Sequence, residues 1–149
     1  MNVSQLEGFE VAGFFVRTTN ADEMNATNAK IGGLWERFYT EALPKLSENS
    51  KVYGLYTNYE SDVSGAYDVF ACASNLSPDS LPQLISTKIE PGKYLTFSAK
   101  GEMPQAVIDL WGEVWCYFDA EDCPHSRAYT TDFEFYKSHD EVEISIALK

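Results

Sequence analysis

Two stretches of this chain spell one helical pattern. Ile31, Leu34, Trp35, Phe38 and Tyr39 recur as Val107, Leu110, Trp111, Val114 and Trp115, each 76 positions later. Apolar residues at this three-and-four spacing make one face of an α-helix. Such a face must be buried, so a duplicated face demands two matching surfaces. Strand-like runs supply them. Phe9–Arg17, Val52–Tyr59 and Ala66–Ser74 flank the first helix. Leu84–Ile89, Lys93–Ser98, Arg127–Tyr136 and Val142–Leu148 flank the second. Tyr53 matches Tyr129, and Ala71 matches Ala147, at the same offset of 76. The pattern predicts an α+β fold of duplicated β-α-β-β units, roughly 8–75 and 84–149. They would share a mostly antiparallel sheet, carry two main helices and leave a cleft between the halves. No linker separates the halves, so residues 1–149 read as a single domain.

Local signals refine this plan. Asn20 or Asp22 caps a first helix that runs through Met24 to Ala42 and stops at Pro44. Gly32 and Gly33 weaken it by about 1 kcal/mol each relative to alanine. Close approach to another backbone is their expected compensation. Pro91-Gly92 makes a turn, and Pro104 takes the first position of the second helix.

Composition limits the function. Apolar residues make up 44% and aromatic residues 14% of the chain, which is material for a packed core rather than a disordered segment. The net charge of −12 repels phosphate backbones and attracts cations or basic protein surfaces. Direct nucleic-acid binding is therefore not expected. Cys72, Cys116 and Cys123 form no C-x-x-C, so neither a disulfide framework nor a zinc site is predicted. The start MNVSQLEGFE does not read as a signal peptide. No apolar run approaches the ~18 residues of a membrane span. The expected location is cytoplasmic. His125 and His139 sit in polar stretches and read as surface residues. Asp119, Glu121 and Asp122 lack the spacing and glycine of a calcium loop and read as a solvated turn. Phosphate-loop, dinucleotide and nucleophile-elbow patterns are missing, so no cofactor, metal or catalytic nucleophile is expected.

The segment AYTTDFEFYK carries the most chemistry. Alternation puts Tyr129, Thr131, Phe133 and Phe135 on one face, with Asp132, Glu134 and Tyr136 on the other. If the second face meets open water, Glu134 is an ordinary surface acid. If it lines the seam between the halves, Glu134 is a carboxylate among aromatic rings. There, lost hydration raises its pKa, and a cation restores the lost stabilisation. Rings add about 0.5–2 kcal/mol of cation–π attraction each. The candidate walls are Trp35, Tyr53, Tyr56, Phe70, Tyr94, Trp111, Trp115 and Tyr136. For the helical tryptophans, core packing is the competing role.

Several of these residues stand in a familiar order. Pro91-Gly92-Lys93-Tyr94, then Leu110-Trp111, then Glu134-Phe135-Tyr136 resemble the motifs of the gyrase-inhibitor-like family. That family includes the effector-binding domains of AraC-type and MerR-type transcription regulators. The resemblance spans essentially the whole chain. It implies a domain that binds lipophilic, amphiphilic cations, with Glu134 as the buried counter-ion. The sequence departs from the regulators in leaving no segment for a helix-turn-helix. The expected function is thus a stand-alone effector-binding domain that signals to a separate regulator or acts on a partner such as a gyrase-like protein. The alternative implied by some relatives is a hydrolase in which Glu134, helped by Tyr136 or Tyr53, activates water.

Overall fold

A computed structural model describes residues 2–149. Its elements in chain order are β1 (Asn2–Leu6), β2 (Phe9–Thr18), α1 (Asn20–Glu23), α2 (Ile31–Arg37), β3 (Val52–Thr57) and β4 (Tyr67–Ala73). There follow β5 (Ile85–Ile89), β6 (Gly92–Lys100), α3 (Gln105–Asp119), β7 (Thr131–Ser138) and β8 (Glu141–Ala147). All eight strands join one curled antiparallel sheet in the order β1-β6-β8-β7-β3-β4-β2-β5. The fold is α+β, as the periodicities predict.

The order reads alike in both directions from the β7–β3 junction. β8 and β6 follow β7, while β4 and β2 follow β3. The flanking strands are exchanged: β1 pairs with β6, and β5 pairs with β2. Strand β1 carries only Val3 and Leu6 as apolar residues and is mostly exposed, so hydrophobic patterning gives no sign of it.

Both helices lie on one face. Helix α2 packs on β2 and β4, and α3 packs on β6 and β8. Leu34 and Phe38 join Phe14, Val69 and Ala71 beneath α2. Val107, Leu110 and Val114 join Leu95, Ile144 and Ile146 beneath α3. The opposite face holds a third cluster containing Tyr53, Leu55, Phe70, Tyr94 and Phe133. The central strands β3 and β7 are thus left as a floor between the helices.

Several local expectations are corrected. The first helix is interrupted. Thr19 caps α1 by accepting a bond from the Asp22 amide at 3.0 Å. The Asn25 side chain then accepts from the Thr27 amide at 3.0 Å, an Asx-type turn that competes with helix. Glu23 restarts the helix by accepting from the amides of Lys30 at 2.9 Å and Ile31 at 3.2 Å. Met24 therefore leaves the buried stripe and is 81% exposed. Pro44 offers no N–H and its ring crowds the turn before it. The helix leaves through a π turn at Phe38–Ala42 and a 3-10 turn at Leu43–Lys45. A Cβ built on Gly32 or Gly33 meets nothing within 4 Å, so no backbone approaches them.

The helical match of Leu34 with Leu110 and Trp35 with Trp111 keeps its meaning in space, but the strand matches do not. Ala71 packs beneath α2, whereas Ala147 joins the cluster on the opposite face. Tyr53 lies within β3, whereas Tyr129 precedes β7 with φ 56°. Side chains alternate with period two, so an odd change in loop length transfers a strand's residues to the other face.

Leu110→Ala is expected to cost about 2–5 kcal/mol, because Leu110 is 1% exposed and its removal leaves a cavity beneath α3. Urea unfolding checks this. A loss below about 1 kcal/mol would mean that α3 is not anchored through this residue.

Candidate functional site

Gly54 and Glu134 face each other across the β3–β7 pair at the centre of the sheet. The Glu134 side chain points to the helical face, where a side chain on Gly54 would also point. A Cβ at Gly54 would run into Glu134 Oε1 and stand 3.1 Å from a Trp35 ring carbon. The missing side chain lets the carboxylate lie flat over β3 and lets the Trp35 ring cover the same spot.

Glu134 is 3% exposed. Three groups donate to it: the Tyr56 hydroxyl to Oε2 at 2.8 Å, the Trp111 indole N–H to Oε2 at 2.7 Å, and the Tyr136 hydroxyl to Oε1 at 2.7 Å. They come from β3, α3 and β7, so the carboxylate ties one helix to both central strands. Burial pushes the Glu134 pKa up, while the three donated bonds pull it down; burial wins. Burial and the neighbouring carboxylate also raise the Tyr56 and Tyr136 hydroxyls, which therefore keep their protons and remain donors.

Above the carboxylate opens a cavity of about 920 Å³ between α2 and α3. This is within the size range of small-molecule sites. Trp35, Tyr56, Trp111, Trp115, Tyr136 and Glu134 all line it. Trp35 meets the Tyr136 ring edge-on, with centroids 5.3 Å apart. Tyr56 meets Trp111 at 5.0 Å, and Trp111 meets Trp115 at 6.2 Å. Trp35 and Trp111 stand in the cavity wall and also pack against the core beneath their own helices, while Trp115 is an exposed wall residue.

Tyr53, Phe70 and Tyr94 do not line the cavity. They pack in the cluster on the opposite face, with Leu55 and Phe133. The reason is parity: Tyr53 lies three residues from Tyr56 on β3, and an odd separation reverses the face. Phe70 alternates with Val69 and Ala71, which contact α2. Tyr94 alternates with Leu95, which contacts α3. Its hydroxyl donates to the Glu90 carbonyl at 2.6 Å.

Tyr39, Tyr59 and Tyr67 line the cavity without having been anticipated, as do Met103, Ile108 and Arg127. Tyr39 follows Trp35 by one helical turn, a signal legible in the sequence. Tyr59 lies beyond the end of β3 and is placed by its hydroxyl, which donates to Asp132 at 2.5 Å. Asp132 is fully buried and also accepts from Arg127 Nη2 at 2.7 Å and the Ala147 amide at 2.9 Å. The exposed apolar residues Met24, Tyr39, Val63, Ile108 and Trp115 all lie along the cavity wall. An apolar rim of this kind marks a binding surface.

Among the described residues no group of His, Cys, Asp and Glu is arranged to hold a metal ion, and no helix is long and apolar enough to cross a membrane. His139 is exposed, and His125 stacks on Tyr117 at 6.4 Å, away from the cavity.

Residues 2–148 match the Cass2 family, described as integron-associated effector binding protein. An integron cassette protein from the mobile metagenome of Vibrio cholerae is 66% identical, with a TM-score of 0.96 over 99% of this chain and 95% of that one. A protein of Staphylococcus aureus MU50, described as a transcription regulation protein, shares the fold at 20% identity and a TM-score of 0.73, covering 99% and 97% of the two chains. A third structure, solved bound to tetraphenylphosphonium, shares it at 23% identity and a TM-score of 0.70, covering 99% and 93%. No curated protein sequence matches.

Two outcomes follow from the buried carboxylate. Gly54→Ala is expected to destabilise the fold by about 1–3 kcal/mol, the scale of overpacking. The penalty should shrink in a Glu134→Ala background, where the obstructing oxygen is gone; a double-mutant cycle in urea measures this, and equal penalties would break the link. Folded Glu134 also binds its proton more tightly than the unfolded chain does. Stability should therefore fall as pH rises from the ordinary glutamate value of 4.5 through the raised folded value, and level off above it. Glu134→Gln removes that part of the slope; identical slopes in the two proteins would place the carboxylate in ordinary solvent.

Proposed function

The chain belongs to the Cass2 family of integron-associated effector binding proteins, and from that membership we propose that its cavity takes up lipophilic organic cations with Glu134 as their counter-ion. The observation that carries this reading is the Glu134 carboxylate, buried at the floor of an aromatic cavity with its pKa raised by lost hydration. A cation placed beside it favours the ionised form. The rings of Trp35, Trp111, Tyr56 and Tyr136 add cation–π attraction and apolar contact. Apolar contact is not directional, so charge and apolar bulk are selected more strongly than detailed shape. A relative of the same fold was solved with tetraphenylphosphonium, a cation of this class.

Three donated bonds occupy the Glu134 oxygens. That favours a fixed charge over a base free to take a proton from water. The geometry therefore supports binding over the hydrolytic alternative, and Tyr53, on the far face, offers such chemistry no help. Carrying 23 acidic against 11 basic residues, the chain suits a basic protein partner, such as a regulator or gyrase-like enzyme that senses the occupied cavity.

Tetraphenylphosphonium titrated against tryptophan fluorescence tests the reading, since Trp35, Trp111 and Trp115 line the cavity. Glu134→Gln should weaken binding by about 1–3 kcal/mol, or roughly 5- to 150-fold. Neutral triphenylphosphine oxide should be much less affected. Because the probe's charge is permanent, wild-type affinity should climb as Glu134 ionises with rising pH. Equal binding by wild type and Glu134→Gln overturns the counter-ion role.

A further inference from the structure

We propose that Arg127 forms a second, polar end of the same cavity. On this proposal the preferred ligand is a lipophilic cation that also carries a neutral hydrogen-bond acceptor, such as an ester or amide carbonyl. It rests on the reading of Glu134 as the cation's partner and narrows the ligand class.

Arg127 lines the cavity and is 8% exposed. A guanidinium carries five N–H donors. Among the described residues, Nη2 donates to Asp132 at 2.7 Å, while the buried Nε has no protein acceptor. Asp132 makes no bond to Nε. Its Oδ2 already receives Arg127 Nη2 and the Tyr59 hydroxyl, and its Oδ1 receives the Ala147 amide. The Tyr129 ring stacks on the guanidinium, 4.5 Å from centroid to Cζ, and orients it without accepting through its edge. Nε is closed off from the cavity, but Nη1 also donates to no protein group among the described residues and is not closed off, so it is the donor that an acceptor brought by a ligand can meet.

The sign of the acceptor follows from the neighbours. Asp132 balances Arg127, so the pair does not repel a cation held at Glu134. An anionic acceptor would face two carboxylates, Asp132 and Glu134, against one guanidinium. A neutral carbonyl meets the donors without that repulsion. The spacing follows from the strand. Asp132 and Glu134 are two residues apart on the same face of β7, which is roughly 7 Å at a rise of about 3.3 Å per residue. A positive centre and an acceptor separated by about that distance would reach both ends.

Matched probes test this. One is triphenylphosphonium bearing a four-methylene arm that ends in a methyl ester. The other is heptyltriphenylphosphonium, of the same arm length without the acceptor. The ratio of their affinities is compared between wild type and the double variant Arg127→Met/Asp132→Asn, which removes both charges of the pair together. The ester's relative advantage should fall by about tenfold in the variant, the scale of one charge-assisted bond. An unchanged ratio overturns the role of Arg127. Wild-type protein alone supplies a second readout, should the variant fail to fold. The chain has only three arginines, Arg17, Arg37 and Arg127, so the Arg127 Nε–H resonance can be followed by NMR. It should shift with the ester and not with the heptyl probe; no shift, or the same shift with both, overturns the proposal. If neither probe binds, or Glu134→Gln binds both as wild type does, the cation reading itself falls and this inference with it.

Discussion

The carboxylate of Glu134, withdrawn from water and held by Tyr56, Trp111 and Tyr136, organises the centre of this protein. Desolvating a carboxylate costs several kcal/mol. Bonds to a charged group recover about 1.5–3 kcal/mol each. The raised pKa says that recovery is incomplete. On the proposed function, what remains uncompensated is what a cationic guest relieves. The same three bonds join β3, β7 and α3, so the site and the middle of the sheet are one construction.

Topology makes room for that construction. Each helix covers the outer strands of its own half, and the two central strands stay bare. A sheet covered on its flanks alone must leave a trough. Aromatic side chains line it because their flat faces shield the carboxylate while tyrosine and tryptophan still offer donors from their edges. Gly54 completes the floor, where any side chain would displace the acid. The exposed rim of Met24, Tyr39, Val63, Ile108 and Trp115 continues the apolar surface outward. Those residues contribute little to the folded core, and their exposure is consistent with a surface kept for a guest.

Charge is distributed unevenly inside this trough. Glu134 and the Asp132–Arg127 pair lie on successive like-facing positions of β7 or against them. One end of the floor carries an acid with neutral donors, and the other carries a balanced pair with donors to spare. A cavity polarised in this way can orient an elongated guest as well as hold it.

Helical periodicity alone established two Trp-bearing helices and the face each buries, since the three-and-four pattern survives even where α2 ends in a π turn. The alternation in DFEFY put Glu134 and Tyr136 on one face and Phe133 and Phe135 on the other, but left open what that face would meet. Tertiary structure decided this by setting β3 beside β7, under neither helix. It also separated Tyr56 from Tyr53, Phe70 and Tyr94, which composition cannot tell apart, because one residue of register moves a side chain through the sheet. Arg127 and Tyr59 became neighbours of the cavity only through Asp132, across contacts distant or irregular in sequence. Local periodicity is written in neighbouring residues; the burial of a charge depends on which strands the folded chain brings together around it.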